Sequence, residues 1–298
     1  MKNKHITLAI LVVIVLITVF FISTPKEETY KFTGNTIAYE NREKAEYEVL
    51  GTWEEQGIEI RKIKFKTRPF QNQETEIYGL LYLAKDSSDV KSPGFVYLPA
   101  GEATKESRKE LLINLAKEGY SSLAIDQRGV GETGGTFLWV QQDYHVLLAG
   151  YEPVQHLMVY DALKAFDILR EIDEIDNEKI SFVGESMGGR YAMIASALET
   201  KDKGAIIISS AGFNVQLDPL QEANTYLLSI DPDNYIDKIR GYFLMIHGEE
   251  DEVVPLNNAQ ITFEKAKEPK KFVVTDCNHG YCQDMWNPLL EGLQTMFN

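Results

Sequence analysis

Ser186 sits in Gly184-Glu185-Ser186-Met187-Gly188, between the apolar run Ile180-Ser181-Phe182-Val183 and a helix-like segment from Gly189 to Glu199. An alcohol is a poor nucleophile near neutral pH, so a serine used for attack needs a base, and the base needs an orienting acid. The glycine spacing has a steric reason. A strand-to-helix corner this tight strains the serine backbone and leaves no room for side chains two residues away. A serine that merely capped a helix would not need both glycines. Two later segments offer the missing groups, each after an apolar run of strand length. Gly241 to Ile246 runs into His247-Gly248-Glu249-Glu250-Asp251, and Lys271 to Thr275 runs into Asp276-Cys277-Asn278-His279-Gly280. Asp251 is the candidate acid, with Glu250 as its replacement, and His279 is the candidate base. Such a set performs acyl transfer, with the serine attacking a carbonyl.

These groups can meet only if the elements before them end at one rim. From Gly94 onward strand and helix patterns alternate: strand Gly94–Leu98, helix Lys105–Glu118, strand Ser121–Ile125, helix Val154–Ile172, strand Lys179–Val183 and helix Met187–Leu198. Strands Gly204–Ser209 and Gly241–Ile246, helix Leu256–Lys267, strand Lys271–Thr275 and a closing helix from about Tyr281 complete the series. That alternation predicts an α/β fold with a mostly parallel central sheet and helices on both faces. Strands Gly57–Arg68 and Thr75–Ala84, split by Pro69-Phe70-Gln71-Asn72, predict an antiparallel opening hairpin. Residues 51–298 are expected to form one catalytic domain, residues 25–50 a polar linker. Two insertions stand near the predicted rim. Thr133 to Gly150 holds Phe137, Trp139 and Tyr144, suited to an acyl pocket or to packing the loop down. Asn214 to Arg240 is a short stretch in a position where a cap would lie.

From about residue 58 to the C-terminus the chain resembles the α/β-hydrolase family, and serine esterase and serine aminopeptidase-like members in particular. Four stretches carry the resemblance: Phe95-Val96-Tyr97-Leu98-Pro99-Ala100-Gly101, Asp126-Gln127-Arg128-Gly129-Val130-Gly131, the Gly184–Gly188 elbow, and His247-Gly248 leading to Asp251 and Val254-Pro255. Pro99 departs from the histidine that many relatives carry. The order Ser186, Asp251, His279 matches the family's triad order. His145 and His156 precede the serine, and His247 fits a structural His-Gly turn. The resemblance implies Ser186 as nucleophile, His279 as base and Asp251 as its orienting acid. It further implies an oxyanion hole from the Met187 amide and an amide of the Pro99–Glu102 turn, Gly101 by register. Arg128 reads as a turn anchor. The implied activity is cleavage of a carboxylic ester or related acyl bond; the alternatives are a serine peptidase of the same fold and a non-catalytic binding protein.

Composition narrows the partners. The formal net charge of −15 disfavours nucleic acid, whose phosphates it would repel. Gly129-Val130-Gly131-Glu132-Thr133-Gly134 is a literal dinucleotide fingerprint, but an aromatic loop follows it where a helix should start, so no cofactor is expected. No metal is expected either, since Cys277 and Cys282 with one nearby histidine make a poor zinc set. Ile6 to Ile22 is apolar except for Thr7 and Thr18, with Lys2 and Lys4 before it. As a helix it would span roughly 25 Å of a ~30 Å hydrocarbon core. Residues 1–24 are therefore expected to anchor the chain in a membrane with the catalytic domain outside; a cleaved signal segment, and a secreted enzyme, is the alternative. On that side Cys277 and Cys282 have a spacing that permits a disulfide around His279.

Overall fold

A computed structural model describes residues 29–42, 45–84, 90–216 and 221–298. Strands β1 (Thr29–Thr33) and β2 (Thr36–Glu40) form a hairpin. β3 (Tyr47–Glu55), β4 (Ile58–Phe70), β5 (Gln73–Tyr82), β6 (Ser92–Leu98), β7 (Ser121–Ile125), β8 (Ile175–Glu185), β9 (Gly204–Ile208), β10 (Tyr242–Gly248) and β11 (Lys270–Thr275) form one sheet. Its order is β11-β10-β9-β8-β6-β7-β5-β4-β3. The β6 to β11 portion is parallel, and β5, β4 and β3 add antiparallel pairs at one edge. Helices α1 (Lys109–Lys117), α2 (Val140–Leu148), α3 (Val154–Leu169), α4 (Met187–Leu198), α5 (Glu222–Ser229), α6 (Leu256–Lys265) and α7 (Trp286–Phe297) connect and cover it.

The sheet divides two apolar layers. One contains residues of α3, α4 and α6, the other residues of α1 and α7. Strands covered on both faces must be apolar throughout, which is why β8 from Ile180 to Glu185 and all of β9 are buried without alternation. β4 explains its own irregular pattern. Ile58 and Ile60 face the α1 layer, while Ile63 and Phe65, of opposite parity, face the α3 layer. The strand changes the face it buries part-way along.

Two expectations need correction. Residues 25–50, read as a linker, contain β1, β2 and the start of β3. Ile37 and Tyr39 are buried, and Tyr39 Oη donates to Glu152 Oε1 at 2.8 Å and to the His156 carbonyl at 2.8 Å. Polar sequence hid a hairpin in which only Ile37 and Tyr39 are buried. The aromatic loop also contains a helix, α2, whose Asp143 accepts the first amides of α3, Val154 N at 2.7 Å and Gln155 N at 2.8 Å. As expected from the sequence, the glycines of residues 129–134 do not open a helix. They wrap the Asp126 carboxylate, where a Cβ on Gly131 would come within 2.5 Å of it, and the next helix starts at Val140. The apolar run Ile6 to Ile22 lies outside the described residues; among those described, no helix is long and apolar enough to cross a membrane.

Candidate active site

Ser186 stands at the corner between β8 and α4 with φ 53° and ψ −119°, a left-handed conformation that favours glycine. The neighbouring glycines make that corner possible. A Cβ on Gly184 would lie 2.4 Å from the Gly188 carbonyl oxygen, and one on Gly188 would lie 2.2 Å from that of Leu98. The Ser186 amide donates to Ile208 at the end of β9 (2.9 Å), which fixes the corner to the sheet. The hydroxyl therefore projects above the carboxyl ends of the parallel strands, where open α/β sheets place ligands.

His279 and Asp251 arrive from the exits of β11 and β10. His279 Nε2 lies 2.8 Å from Ser186 Oγ, and His279 Nδ1 lies 2.9 Å from Asp251 Oδ2 and 3.0 Å from Oδ1. The Asp251 side chain is fully buried, and its Oδ1 also accepts the amides of Val253 at 3.0 Å and Val254 at 2.8 Å. Those bonds fix the carboxylate and aim it at the imidazole. Glu250 is exposed, so it does not replace Asp251. His247 is buried and donates from Nε2 to the Val254 carbonyl at 2.8 Å; burial pushes its pKa down. It belongs to the turn rather than the proton path, as expected. His156 is likewise structural, buried between Tyr30 Oη and Ser229 Oγ at 2.7 Å each and pushed down to about 3 by desolvation.

Residues not singled out from sequence complete the frame. Glu185, immediately before Ser186, points to the opposite layer and is buried. Its carboxylate accepts Arg108 Nε (2.8 Å), Arg108 Nη2 (2.5 Å), Tyr97 Oη (2.8 Å) and the Tyr281 amide (3.1 Å). Burial alone would raise this carboxyl, but Arg108, Tyr97 and the Tyr281 amide hold it below the usual range. The result is a strut between the serine corner and the loop carrying His279. The same loop is closed by a Cys277–Cys282 disulfide, with Cα atoms 6.4 Å apart. Among the described residues the one cluster with metal-ligand spacing is Cys277, Cys282 and Asp284, and its sulfurs are joined to each other.

The expected oxyanion residues are neighbours. A Cβ on Gly101 would come within 3.2 Å of Met187 Cε, so the Pro99–Glu102 turn abuts the first turn of α4. Met187 is the first helical residue, whose amide the helix leaves free. Gln127 was missed in the sequence although it sits in a recognised motif. Its Nε2 donates to the Pro99 carbonyl at 2.7 Å and pins that turn. Arg128 is buried in a fork with Asp161, 2.6 and 2.8 Å long, and donates to the Arg68 carbonyl at 3.0 Å. It is a turn anchor, as its position suggested.

Comparison with known proteins agrees with this architecture. A family model described as "Serine aminopeptidase, S33" matches residues 102–232. Acetyl xylan esterase 1 from Thermoanaerobacterium sp. superposes with a TM-score of 0.68 at 16% identity, over 86% of this chain and 88% of that one. The chain has the α/β-hydrolase fold. An esterase of Pyrococcus furiosus superposes with a TM-score of 0.61 at 16% identity, over 84% of this chain and 98% of that one. Among curated proteins, YfhR of Escherichia coli is 25% identical over 168 residues, 54% of this chain and 53% of its own length. The chain thus spans about half the length of that relative. YtmA of Bacillus subtilis, described as an uncharacterised peptidase, is 23% identical over 236 residues, 70% of this chain and 86% of its own.

Proposed function

We propose that this α/β-hydrolase is a serine hydrolase that cleaves carboxylic esters through an acyl-enzyme on Ser186. The observation that carries the reading is the continuous line from Ser186 Oγ to His279 Nε2, 2.8 Å, and from His279 Nδ1 to Asp251, 2.9 Å. In acylation Ser186 Oγ bonds to the carbonyl carbon while its proton passes to His279 Nε2. His279 then returns that proton to the departing alkoxide as the ester C–O bond breaks. Water repeats the sequence against the acyl-serine, releasing the acid and restoring the hydroxyl. Asp251 holds the imidazole with Nε2 free to accept and stabilises the imidazolium. The amides of Met187 and Gly101 stabilise the oxyanion, and losing one such donor costs ~2.7–4 kcal/mol in the transition state.

Between residues 214 and 240 the described cap consists of α5 and two short 3-10 turns, which suits an open site and small substrates. The match to a serine aminopeptidase model favours a second reading, cleavage of an aminoacyl amide by the same groups. Residues 6–22 tether the domain to a membrane with the active site outside, a location consistent with the Cys277–Cys282 disulfide. A panel of short p-nitrophenyl esters and aminoacyl p-nitroanilides tests the chemistry. Ester turnover that disappears in Ser186→Ala is expected. Turnover of the anilides alone would transfer the function to peptidase, and turnover surviving the substitution would refute the proposal.

A further inference from the structure

Arg190 lies one helical turn beyond Ser186, with its amide bonded to the Ser186 carbonyl at 3.3 Å. Its guanidinium stands over the Phe213 ring, 5.2 Å from the centroid. Phe213 follows β9, the strand whose terminal carbonyl, Ile208, holds the Ser186 amide. The cation is thus placed on the rim that carries the reactive hydroxyl. It is mostly shielded from solvent, and burial pushes its pKa down.

What sets Arg190 apart is its lack of a polar partner. Arg42, Arg61, Arg68, Arg108 and Arg128 are also shielded, and each donates to a carboxylate. Arg190, among the described residues, makes no side-chain hydrogen bond and no ion pair. In a chain of net charge −15, acids to pair with it are abundant. The acid that pulls on it, Asp231, is already engaged, its Oδ1 accepting the amides of Phe213 at 3.0 Å and Asp233 at 3.1 Å. Desolvating an unpaired cation costs stability, and such a cost is commonly retained where a ligand supplies the partner.

We propose that Arg190 binds a carboxylate carried by the substrate, so that the preferred substrates are acyl compounds with a second, anionic carboxyl group. This deepens the serine hydrolase reading and rests on it. The guanidinium offers parallel N–H donors matched to the two oxygens of a carboxylate, and Phe213 beneath it sets its plane. A single cation with Asp231 and Asp233 nearby suits a monoanion better than a phosphate dianion. Because the protein as a whole repels anions, a local cation is what would hold such a substrate in register.

The test compares matched esters on the full-length protein. p-Nitrophenyl hemiglutarate is paired with p-nitrophenyl butyrate, and para-acetoxybenzoate with phenyl acetate, so that the carboxylate is carried on the acyl or the leaving side. In at least one pair the ratio of kcat/KM, anionic over neutral, should fall about 10- to 100-fold in Arg190→Gln, mainly through KM. Arg190→Lys should recover part of it. Ratios unchanged in both pairs, or a loss equal for all esters, would overturn the assignment. Labelling of Ser186 by a neutral fluorophosphonate separates the two layers of the argument. If wild type does not label, the hydrolase reading fails, and calorimetry with glutarate then decides the site alone. Binding lost in Arg190→Gln upholds it, and equal binding or none in wild type overturns it.

Discussion

Glu185 and Arg190 stand on either side of the serine corner and are treated in opposite ways. Glu185 is buried with both oxygens engaged by Arg108, Tyr97 and the Tyr281 amide. Arg190 is shielded yet, among the described residues, its guanidinium has no polar partner and lies over the face of Phe213. The first arrangement fixes geometry, tying the His279 loop to the residue next to Ser186. The second leaves donors free for something the described residues do not provide. A charge satisfied from within reads as framework, and a charge left unsatisfied at a reactive rim reads as recognition.

The comparison can be broken in several ways. The largest effect should come from the group both flanks serve. His279→Ala should lower kcat/KM by about 10⁴-fold or more, because serine and base act as a unit. Retention of a tenth of the activity would remove His279 from the proton path. Glu185→Ala comes next. It strands Arg108 and frees the Tyr281 amide, so stability should fall by ~2–3 kcal/mol in denaturant titration. kcat should fall further than KM rises as His279 loses its register. A fall in stability with kcat intact would make Glu185 a packing residue only.

Arg190→Met should do the reverse to stability. Removing an unpaired cation from a desolvated position is expected to add about 1 kcal/mol, read as a higher Tm. A clear drop in Tm would mean that the arginine is framework after all, and the contrast with Glu185 would collapse.

The smallest effect lies away from the site and concerns pH. Burial raises the Asp202 carboxyl from its ordinary 3.8 to about 8, beside Ser196 Oγ. Between those values the folded chain holds a proton that the unfolded chain has lost, so this residue's contribution to stability falls as pH rises through that window. Asp202→Asn should flatten that part of the stability profile, and an unchanged slope would place the titration elsewhere.

Much of the site was legible because its steric demands are local. Gly184 and Gly188 are required by contacts under 2.5 Å, and a fixed spacing records such demands directly. Strands β6 to β10 were legible for a related reason, since burial on both faces leaves short unbroken apolar runs. The β1–β2 hairpin was not, because its strands are short and only Ile37 and Tyr39 of them are buried. Glu185, Arg108 and Gln127 were missed because their roles depend on partners distant in sequence, which spacing does not record. The signal available for Glu185 was an acidic residue at the end of an otherwise apolar central strand, where burial demands a partner.

The central claim is that Ser186 is an activated nucleophile held by His279 and Asp251. Incubating the protein with a neutral fluorophosphonate and mapping the adduct by peptide mass tests it directly. The account predicts one adduct, on the peptide containing Ser186, formed rapidly in wild type and strongly slowed in His279→Ala. An adduct on another residue, or labelling at Ser186 equally fast without the imidazole, would contradict it.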